Sequence, residues 1–510
     1  LELNNVFSEC LQLIRLQTTK GFKGLCSKIS SHFYPLIKDD LLLIPRSDVL
    51  AAQRLVQALA FTGRLSLQDI DLREQMLEEY QAIEDAIPDE YPDLLVRRLN
   101  FIVKNWIKDF DPSRIKPRHG QKGSAFVGRA SLEEKYKNLS SDAALRTVFG
   151  QDNWSVHLPS DKMSRVSEVK FVPKSYKTFR TISMEPVTLM YFQQGIWSEV
   201  QRMVNANRYL KRHIDFSDQM RNRKLAQEGS LNRLWATIDL SAASDSVGYK
   251  LVKGVFHGTK LLKFLMATRS WRAQLPDGSC VTPKKFAPSG SALCFPVETL
   301  IFASICELVT RELRVAGEFS VYGDDIIVPA QCVERLMQIL ERLGFRVNRD
   351  KSFFSETCWF RESCGGEFCD GYDVTPIRIT RRYTHRERDV RLESFVDSSN
   401  RALSRGYRHL RGFYLSKIRE YGFIPMFSPT QIQSDNYTNY HTKKRWNRHL
   451  QRIEVLVSNT SDRYLKQDID SQDDDIRYRH WLEHRSGRED PIGKCNVFRL
   501  AFVSVICKPT

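Results

Sequence analysis

Leucines, isoleucines and alanines recur at helical spacing from Asp48 to Phe61 and again from Asp71 to Ile87, each stretch opening on an aspartate suited to an N-cap or first turn. The first 110 residues are therefore expected to be mainly helical. From about Val166 to Ile379 short strand-length apolar runs alternate with helix-like ones, the pattern of an α/β or α+β core. Within that core, Leu234 to Ile238 reads as a buried strand ending at Asp239. Phe319 to Tyr322 and Ile326 to Val328 read as the two strands of a hairpin, with Gly323 supplying the backbone freedom of a tight turn. Asp111 to Gly128 breaks the helical pattern with prolines and glycines among Arg114, Lys116, Arg118, His119 and Lys122, so it is either a basic phosphate-wrapping loop or a connector.

Beyond the core, Ile377 to Glu420 holds basic residues in clear excess over acidic ones. Arg401, Arg405 and Arg408 fall on one helical face, which is either a phosphate-facing stripe or a solvated surface. Tyr437, Tyr440, Lys443, Lys444, Arg445, Trp446 and Arg448 mix aromatic and basic side chains as single-strand binders do. Asp468 to Asp475 is acidic and reads as a surface loop, and no internal repeat is present.

With 510 residues and 42% hydrophobic content the chain can bury a large core divided into several subdomains. Its 77 Lys and Arg against 61 Asp and Glu give a formal charge of +16, which favours a polyanionic partner. Eleven cysteines are scattered without a C-x-x-C pair, and the closest group, Cys358, Cys364 and Cys369, has no histidine nearer than His385. That spacing fits neither a zinc ribbon nor a disulfide framework, so buried free thiols in a reducing cytosol are expected. The longest apolar stretch, Cys294 to Val309, is interrupted by Glu298 and Glu307, and the first thirty residues carry no signal-peptide pattern, so membrane insertion is not expected. A start at Leu1 is compatible with a short missing N-terminal piece.

The hairpin carries the candidate chemistry. Asp324 and Asp325 repel each other, and a protein keeps such a pair on a tight turn mainly when a cation neutralises it. Asp239, at the end of a buried strand, can be held rigidly beside them. Two divalent cations about 4 Å apart, bridged by such carboxylates, would activate an attacking hydroxyl and neutralise a leaving pyrophosphate, the chemistry of nucleotidyl transfer. Taken singly, Asp239 reads equally well as a strand-terminal cap.

Thr237-Ile238-Asp239-Leu240-Ser241-Ala242-Ala243-Ser244-Asp245-Ser246 and Tyr322-Gly323-Asp324-Asp325-Ile326-Ile327 resemble motifs A and C of RNA-directed RNA polymerases. The resemblance is closer to the replicase subunits of positive-strand RNA bacteriophages, the Qβ-like leviviruses. Phe360-Arg361-Glu362-Ser363-Cys364-Gly365, followed by Gly371-Tyr372-Asp373-Val374-Thr375-Pro376, is similar to a further hallmark of that family. Matching motifs run from about Val172 to Pro376, and the outer thirds match only loosely.

Carried over position by position, the resemblance implies that Asp239, Asp324 and Asp325 hold two Mg2+ ions, or Mn2+ in their place, with Asp324 binding most directly. Val172 to Arg180 resembles motif F, in which Lys174 and Arg180 would grip the triphosphate. Ser289-Gly290-Ser291, followed by Phe295 to Phe302, resembles the glycine loop and helix of motif B, although the phage enzymes more often carry Met-Gly-Asn-Gly and the ribose-reading asparagine of other families is absent. Asp245 with Ser289 or Thr299 is the suggested 2′-hydroxyl sensor; ordinary helix capping explains them equally well. Lys351 lies in a motif D-like stretch, where a lysine would protonate leaving pyrophosphate, although a surface lysine explains it equally well, and Arg361 with Glu362 would buttress the primer-side hairpin by an ion pair.

The implied fold is the α+β polymerase right hand with an antiparallel palm sheet. Residues 1–165 would form an N-terminal helical region contributing to the fingers, 166–376 the fingers and palm core, and 377–510 a mainly helical thumb and C-terminal region. The implied partners are a single-stranded RNA template, ribonucleoside triphosphates, host elongation factors Tu and Ts and a ribosomal protein, in the cytoplasm of an infected bacterium, with primer-independent initiation. A reverse transcriptase shares the metal-binding palm but usually differs at Gly323 and lacks the Phe360 to Gly365 signature. A non-catalytic RNA-binding protein explains the charge but not the three aspartates.

Overall fold

The computed structural model describes residues 73–149, 164–173, 179–378 and 398–419, apart from 121–122, 129, 316–317, 357 and 404. It also describes residues 53, 57 and 395 and the backbone of 37–38, 41–42, 444–447, 452–464 and 494–504. The chain divides into two compact units, residues 1–380 with 471–488, and residues 381–470 with 489–510.

In the first unit, helix α1 (Arg73–Ala86) buries Met76, Tyr80, Ile83 and Glu84 along one stripe, the face its apolar spacing demands. The helix Asp93–Trp106 does the same with Leu95, Leu99, Ile102, Val103 and Trp106. Only Gln53 and Gln57 are described in the expected Asp48 to Phe61 helix, and both are helical. The amide of Gln57 clasps Ile377 in both directions, donating to its carbonyl and accepting from its N–H at 2.9 Å each.

A four-stranded sheet joins Phe179–Met184, Val166–Pro173, Arg272–Gln274 and Cys280–Val281 in that order, with one parallel pairing between Val166–Pro173 and Arg272–Gln274. The Asp111 to Gly128 segment packs on the helix Val187–Ala206. Arg118 N–H donates to the Tyr191 carbonyl, His119 is buried against Tyr136 and Tyr191, and Lys135 Nζ donates to the Gly120 carbonyl at 2.6 Å.

The palm is a second, three-stranded antiparallel sheet of β1 (Trp235–Ile238), β2 (Ser320–Tyr322) and β3 (Asp325–Pro329), with β3 central. Ile326, Ile327 and Val328 are all buried, so both faces of β3 are covered, and the run is continuously apolar rather than alternating. Helix α2 (Met220–Asn232) covers one face, where Leu225 and Ala226 pack with Ile327 and Phe368. The approach is close at Gly229, where a Cβ would come within 2.7 Å of the Trp235 carbonyl oxygen. Helix α3 (Cys294–Glu312) is buried almost all round, which makes the apolar stretch a core helix, with Pro296 tolerated in its first turn. No helix among the described residues is long and apolar enough to cross a membrane. The hairpin β4 (Phe360–Ser363) and β5 (Gly366–Cys369) completes this part, extended by Tyr372–Asp373.

The second unit has a helix, Arg408–Arg419, that buries Leu410 and Tyr414. Its described backbone also contains a three-stranded antiparallel sheet of Lys444–Asn447, Arg452–Tyr464 and Lys494–Ser504. The expectation of a mainly helical C-terminal region is corrected here. Runs such as Ile453 to Val457 and Val497 to Val503 are rich in β-branched and aromatic residues that suit a pleated surface better than a helix. The stretches with Tyr437, Tyr440 and Lys443 and with Asp468 to Asp475 lie outside the described residues.

Candidate active site

The register of the palm sheet assembles the acidic centre. Ile238 pairs with Ile326 across β1 and β3, so Asp239 follows β1 directly where Asp325 opens β3, and the charges of Asp324 and Asp325 both reach the Asp239 carboxyl. Tyr322 pairs with Asp325 across the hairpin, which leaves Gly323 and Asp324 as a two-residue turn. Gly323 sits at φ 64°, in the left-handed region such a turn needs, and a Cβ there would lie 2.8 Å from the Phe295 ring. Asp324 is exposed at the tip.

Asp239 and Asp325, both half-buried, are held by polar partners. Asn348 Nδ2 donates to Asp239 Oδ2 at 2.9 Å, and the Asp239 carbonyl accepts from the Asn348 N–H at 2.9 Å. Asp239 N–H donates to Ser352 Oγ at 3.1 Å. Burial pushes the Asp239 carboxyl up to about 6; the charges of Asp324 and Asp325 push the same way, and Lys351 and the Asn348 hydrogen bond oppose them. Asp325 Oδ1 accepts from the Cys364 N–H at 2.9 Å and the Ser363 hydroxyl at 3.2 Å. Its carboxyl is also raised, by burial and by Asp324, against those hydrogen bonds. Lys351 is exposed in the short Arg349–Lys351 turn, where its charge reaches Asp239.

Three supporting residues escape a motif-based reading. Asn222, buried on α2, donates to the Asp325 carbonyl at 3.0 Å and accepts from Ser320 Oγ at 2.6 Å, tying both hairpin strands to the helix behind them. Gln193 Oε1 accepts from Ser291 Oγ at 3.0 Å and from the Ala292 N–H at 3.1 Å, and so anchors the loop before α3. Glu298 lies beneath the turn, where burial and the charge of Asp324 push its carboxyl well above the ordinary range. An isolated asparagine, glutamine or glutamate at helical spacing carries no signature in a single sequence.

The other sequence-derived candidates are distributed around this centre. Thr299 is fully buried; its hydroxyl donates to the Phe295 carbonyl at 2.6 Å and accepts from the Gly323 N–H at 3.0 Å, so it props the turn from below. Ser289 and Gly290 lean on the Phe179–Met184 strand, with the Ser183 N–H donating to the Ser289 carbonyl at 2.8 Å and Gly290 at φ 120°. Arg180 is exposed on that same strand, and Lys174 lies outside the described residues. Asp245 is buried and accepts from Lys285 Nζ at 2.9 Å. The expected Arg361–Glu362 ion pair is corrected: neighbours on a strand point to opposite faces, and Arg361 instead donates to the carbonyls of Trp235, Cys358 and Phe360 at 2.8 Å each. Seven described cysteines are free thiols.

Among the described residues no group of three His, Cys, Asp or Glu side chains is set closely enough to cage a metal ion by itself. The donor chemistry at the palm nevertheless fits a hard divalent cation. Asp239, Asp324 and Asp325 offer only oxygen, and their mutual repulsion is what a cation would relieve.

An antiparallel palm with helices behind it and acidic residues along one end belongs to the right-hand polymerase fold. The same fold is seen in the RNA-dependent RNA polymerase of a human picorbirnavirus, which aligns with a TM-score of 0.50 at 12% identity over 80% of this chain and 82% of that one. The chain belongs to the RNA replicase beta-chain family, whose model matches residues 138–392. It is 41% identical over 224 residues to the RNA-directed RNA polymerase subunit beta of Enterobacteria phage SP, covering 42% of this chain and 38% of that subunit. The corresponding subunit of Escherichia virus Qbeta is 41% identical over 212 residues, 41% of this chain and 35% of that one. The RNA-directed RNA polymerase beta chain of Enterobacteria phage fr is 30% identical over 377 residues, 70% of this chain and 66% of that one. The matched stretch thus spans well under half the length of the phage SP and Qbeta subunits.

Proposed function

We propose that this chain is the catalytic subunit of an RNA-directed RNA polymerase that replicates a positive-strand RNA phage genome, adding ribonucleoside triphosphates to an RNA 3′ end on a single-stranded template. The observation that carries this reading is that Asp239, next after the Ile238–Ile326 pair, lies within reach of the charges of Asp324 and Asp325 in a chain of the RNA replicase family. Asp239, Asp324 and Asp325 would hold two Mg2+ ions, with Mn2+ able to replace them. When bound there, such ions would lower the pKa of the attacking hydroxyl and neutralise pyrophosphate.

The chain's own groups do the rest. Asn348, Ser363 and the Cys364 N–H orient the carboxylates. Lys351, exposed next to Asp239, donates a proton to departing pyrophosphate. Lys174 and Arg180 grip the triphosphate, Asp245 with Ser289 and Gly290 faces the ribose and template, and Thr299 bears on the nucleotide through the Gly323 amide. Initiation is primer-independent. The setting is the cytoplasm of an infected bacterium, and elongation factors Tu and Ts with a ribosomal protein join the active assembly.

The test supplies the purified chain with single-stranded RNA, four ribonucleotides and Mg2+, and looks for complementary product. Product is expected with ribonucleotides and lost with chelator. Failure to polymerise with or without copurifying host proteins refutes the reading.

A further inference from the structure

Lys285 is 1% exposed. Its Nζ lies 2.9 Å from Asp245 Oδ1, 3.2 Å from Glu84 Oε1 and 3.9 Å from the centre of the Tyr80 ring. An ammonium so far removed from water persists only when neutralised, and here two carboxylates from distant parts of the chain share it. The Asp245 contact is an aligned hydrogen bond, whereas the Glu84 Oε1 contact is a charge contact without that alignment. The other Glu84 oxygen accepts from the Lys284 N–H at 2.6 Å.

The lysine has no freedom to swing away. Arg269 donates to the Lys285 carbonyl at 2.7 Å, the Phe286 N–H to the Val247 carbonyl at 2.8 Å, and the Tyr249 N–H to the Lys284 carbonyl at 2.7 Å. Burial works against the lysine's charge, but the surrounding charges, that of Asp245 foremost, outweigh it and hold the ammonium above its ordinary value. Burial also pushes the Tyr80 phenol up to about 12, so the ring offers the cation a neutral face. On its other side Asp245 neighbours the start of α3, where its charge reaches Cys294 and Glu298. Asp245 therefore lies between the buried cluster and the acidic end of the palm.

We propose that Lys285, seconded by Glu84, is a positioning residue for ribose selection: it holds one oxygen of Asp245 so that the other accepts from the 2′-hydroxyl of the incoming nucleotide. This rests on the reading of Asp245 as a ribose-facing group. A carboxylate only accepts hydrogen bonds, so an oriented Asp245 recognises a hydroxyl that a deoxynucleotide lacks. Without the ammonium the carboxylate has no fixed direction, and the two sugars are distinguished less well.

The replicase, purified from an expressing bacterium with the proteins that accompany it, is assayed for kcat/KM with CTP and with dCTP on one template, alongside thermal melting. Lys285→Met is expected to narrow the CTP to dCTP preference roughly tenfold, the worth of one oriented hydrogen bond, mainly through KM for CTP. Glu84→Gln, which keeps an acceptor for the Lys284 N–H, is expected to narrow it by a smaller factor. A role confined to holding the fold would depress both substrates together. An unchanged preference in variants that melt like the parent overturns the proposal, and if Lys285→Met does not fold, Glu84→Gln decides alone. Asp245→Asn separates the two levels of the argument. If it narrows the preference while the cluster variants do not, only the positioning role fails; if it leaves the preference intact, the ribose assignment fails and the proposal falls with it.

Discussion

Asp239 directly follows β1 where Asp325 opens β3, one position beyond the Ile238–Ile326 pair, and the charges of Asp324 and Asp325 reach its carboxyl. Two carboxylates so placed, with Asp324 on the adjoining turn, are an unfavourable arrangement for the protein alone. Burial raises the Asp239 carboxyl to about 6, and the charges of Asp324 and Asp325 push the same way against Lys351 and Asn348.

Stability and activity should therefore part company at this site. Asp239→Asn removes a half-buried charge that repels its neighbours, so at pH 8 and without divalent metal the variant is expected to melt at or above the parent temperature. Nucleotide incorporation should fall by at least about a thousandfold, because the lost metal contact is worth several kcal/mol in the transition state. Asp324→Asn should likewise abolish incorporation while RNA binding, measured by filter retention, stays within about twofold, since phosphate contacts come from basic residues elsewhere. Normal polymerisation by Asp324→Asn would remove the metal assignment.

Thr299→Val keeps shape and removes the oxygen that accepts from the Gly323 N–H. A buried donor left without a partner costs about 1–3 kcal/mol. The midpoint in urea should shift accordingly, and incorporation should fall more than stability does, because the loosened turn is the one that carries Asp324.

Gly290→Ala meets two obstacles at once. Gly290 sits at φ 120°, and a Cβ would come within 2.2 Å of the Ser183 carbonyl oxygen. The loop would have to leave the strand and give up the hydrogen bond from the Ser183 N–H to the Ser289 carbonyl. A loss of roughly 2 kcal/mol or more is expected, with amide exchange quickened at Ser183.

Glu185 gives the chain a calculable pH response. Burial raises its carboxyl to about 7, although Ser270, Arg269, Gln193 and Arg165 all act to lower it. A carboxyl whose folded value exceeds its unfolded value of 4.5 binds more protons when folded, so stability is highest below 4.5 and declines as pH rises towards about 7. The span corresponds to about 3 kcal/mol. Glu185→Gln should flatten that decline in a series of denaturant midpoints from pH 4.5 to 8, and an unchanged slope would assign the decline to other groups.

Much of the palm was legible in the sequence because a strand's alternation and a turn's chemistry are local. The apolar flanks of Tyr322 to Asp325 already required a hairpin, and Leu234 to Ile238 a strand stopping at Asp239. The partners that orient the aspartates were not legible, since Asn222 and Lys285 reach them through folding alone, as Gln193 reaches the loop before α3. Arg361 misled for a related reason: adjacent opposite charges suggest a pair, but pleating turns them to opposite sides. In the C-terminal region charge and aromatic content drew attention away from β-branched runs that pair as long strands.

The strand bearing Asp239 is laced to a segment more than a hundred positions downstream. Thr237 and Phe353 exchange backbone hydrogen bonds at 3.0 and 2.8 Å, and Asn348 and Ser352 take up the groups of Asp239 itself. A fragment truncated just after the acidic turn would keep all three aspartates and still lack the fastening that aims the first of them. Ribosomes making this protein must therefore pass residue 353 before a competent centre can exist, which ties the onset of activity to nearly complete synthesis of the core.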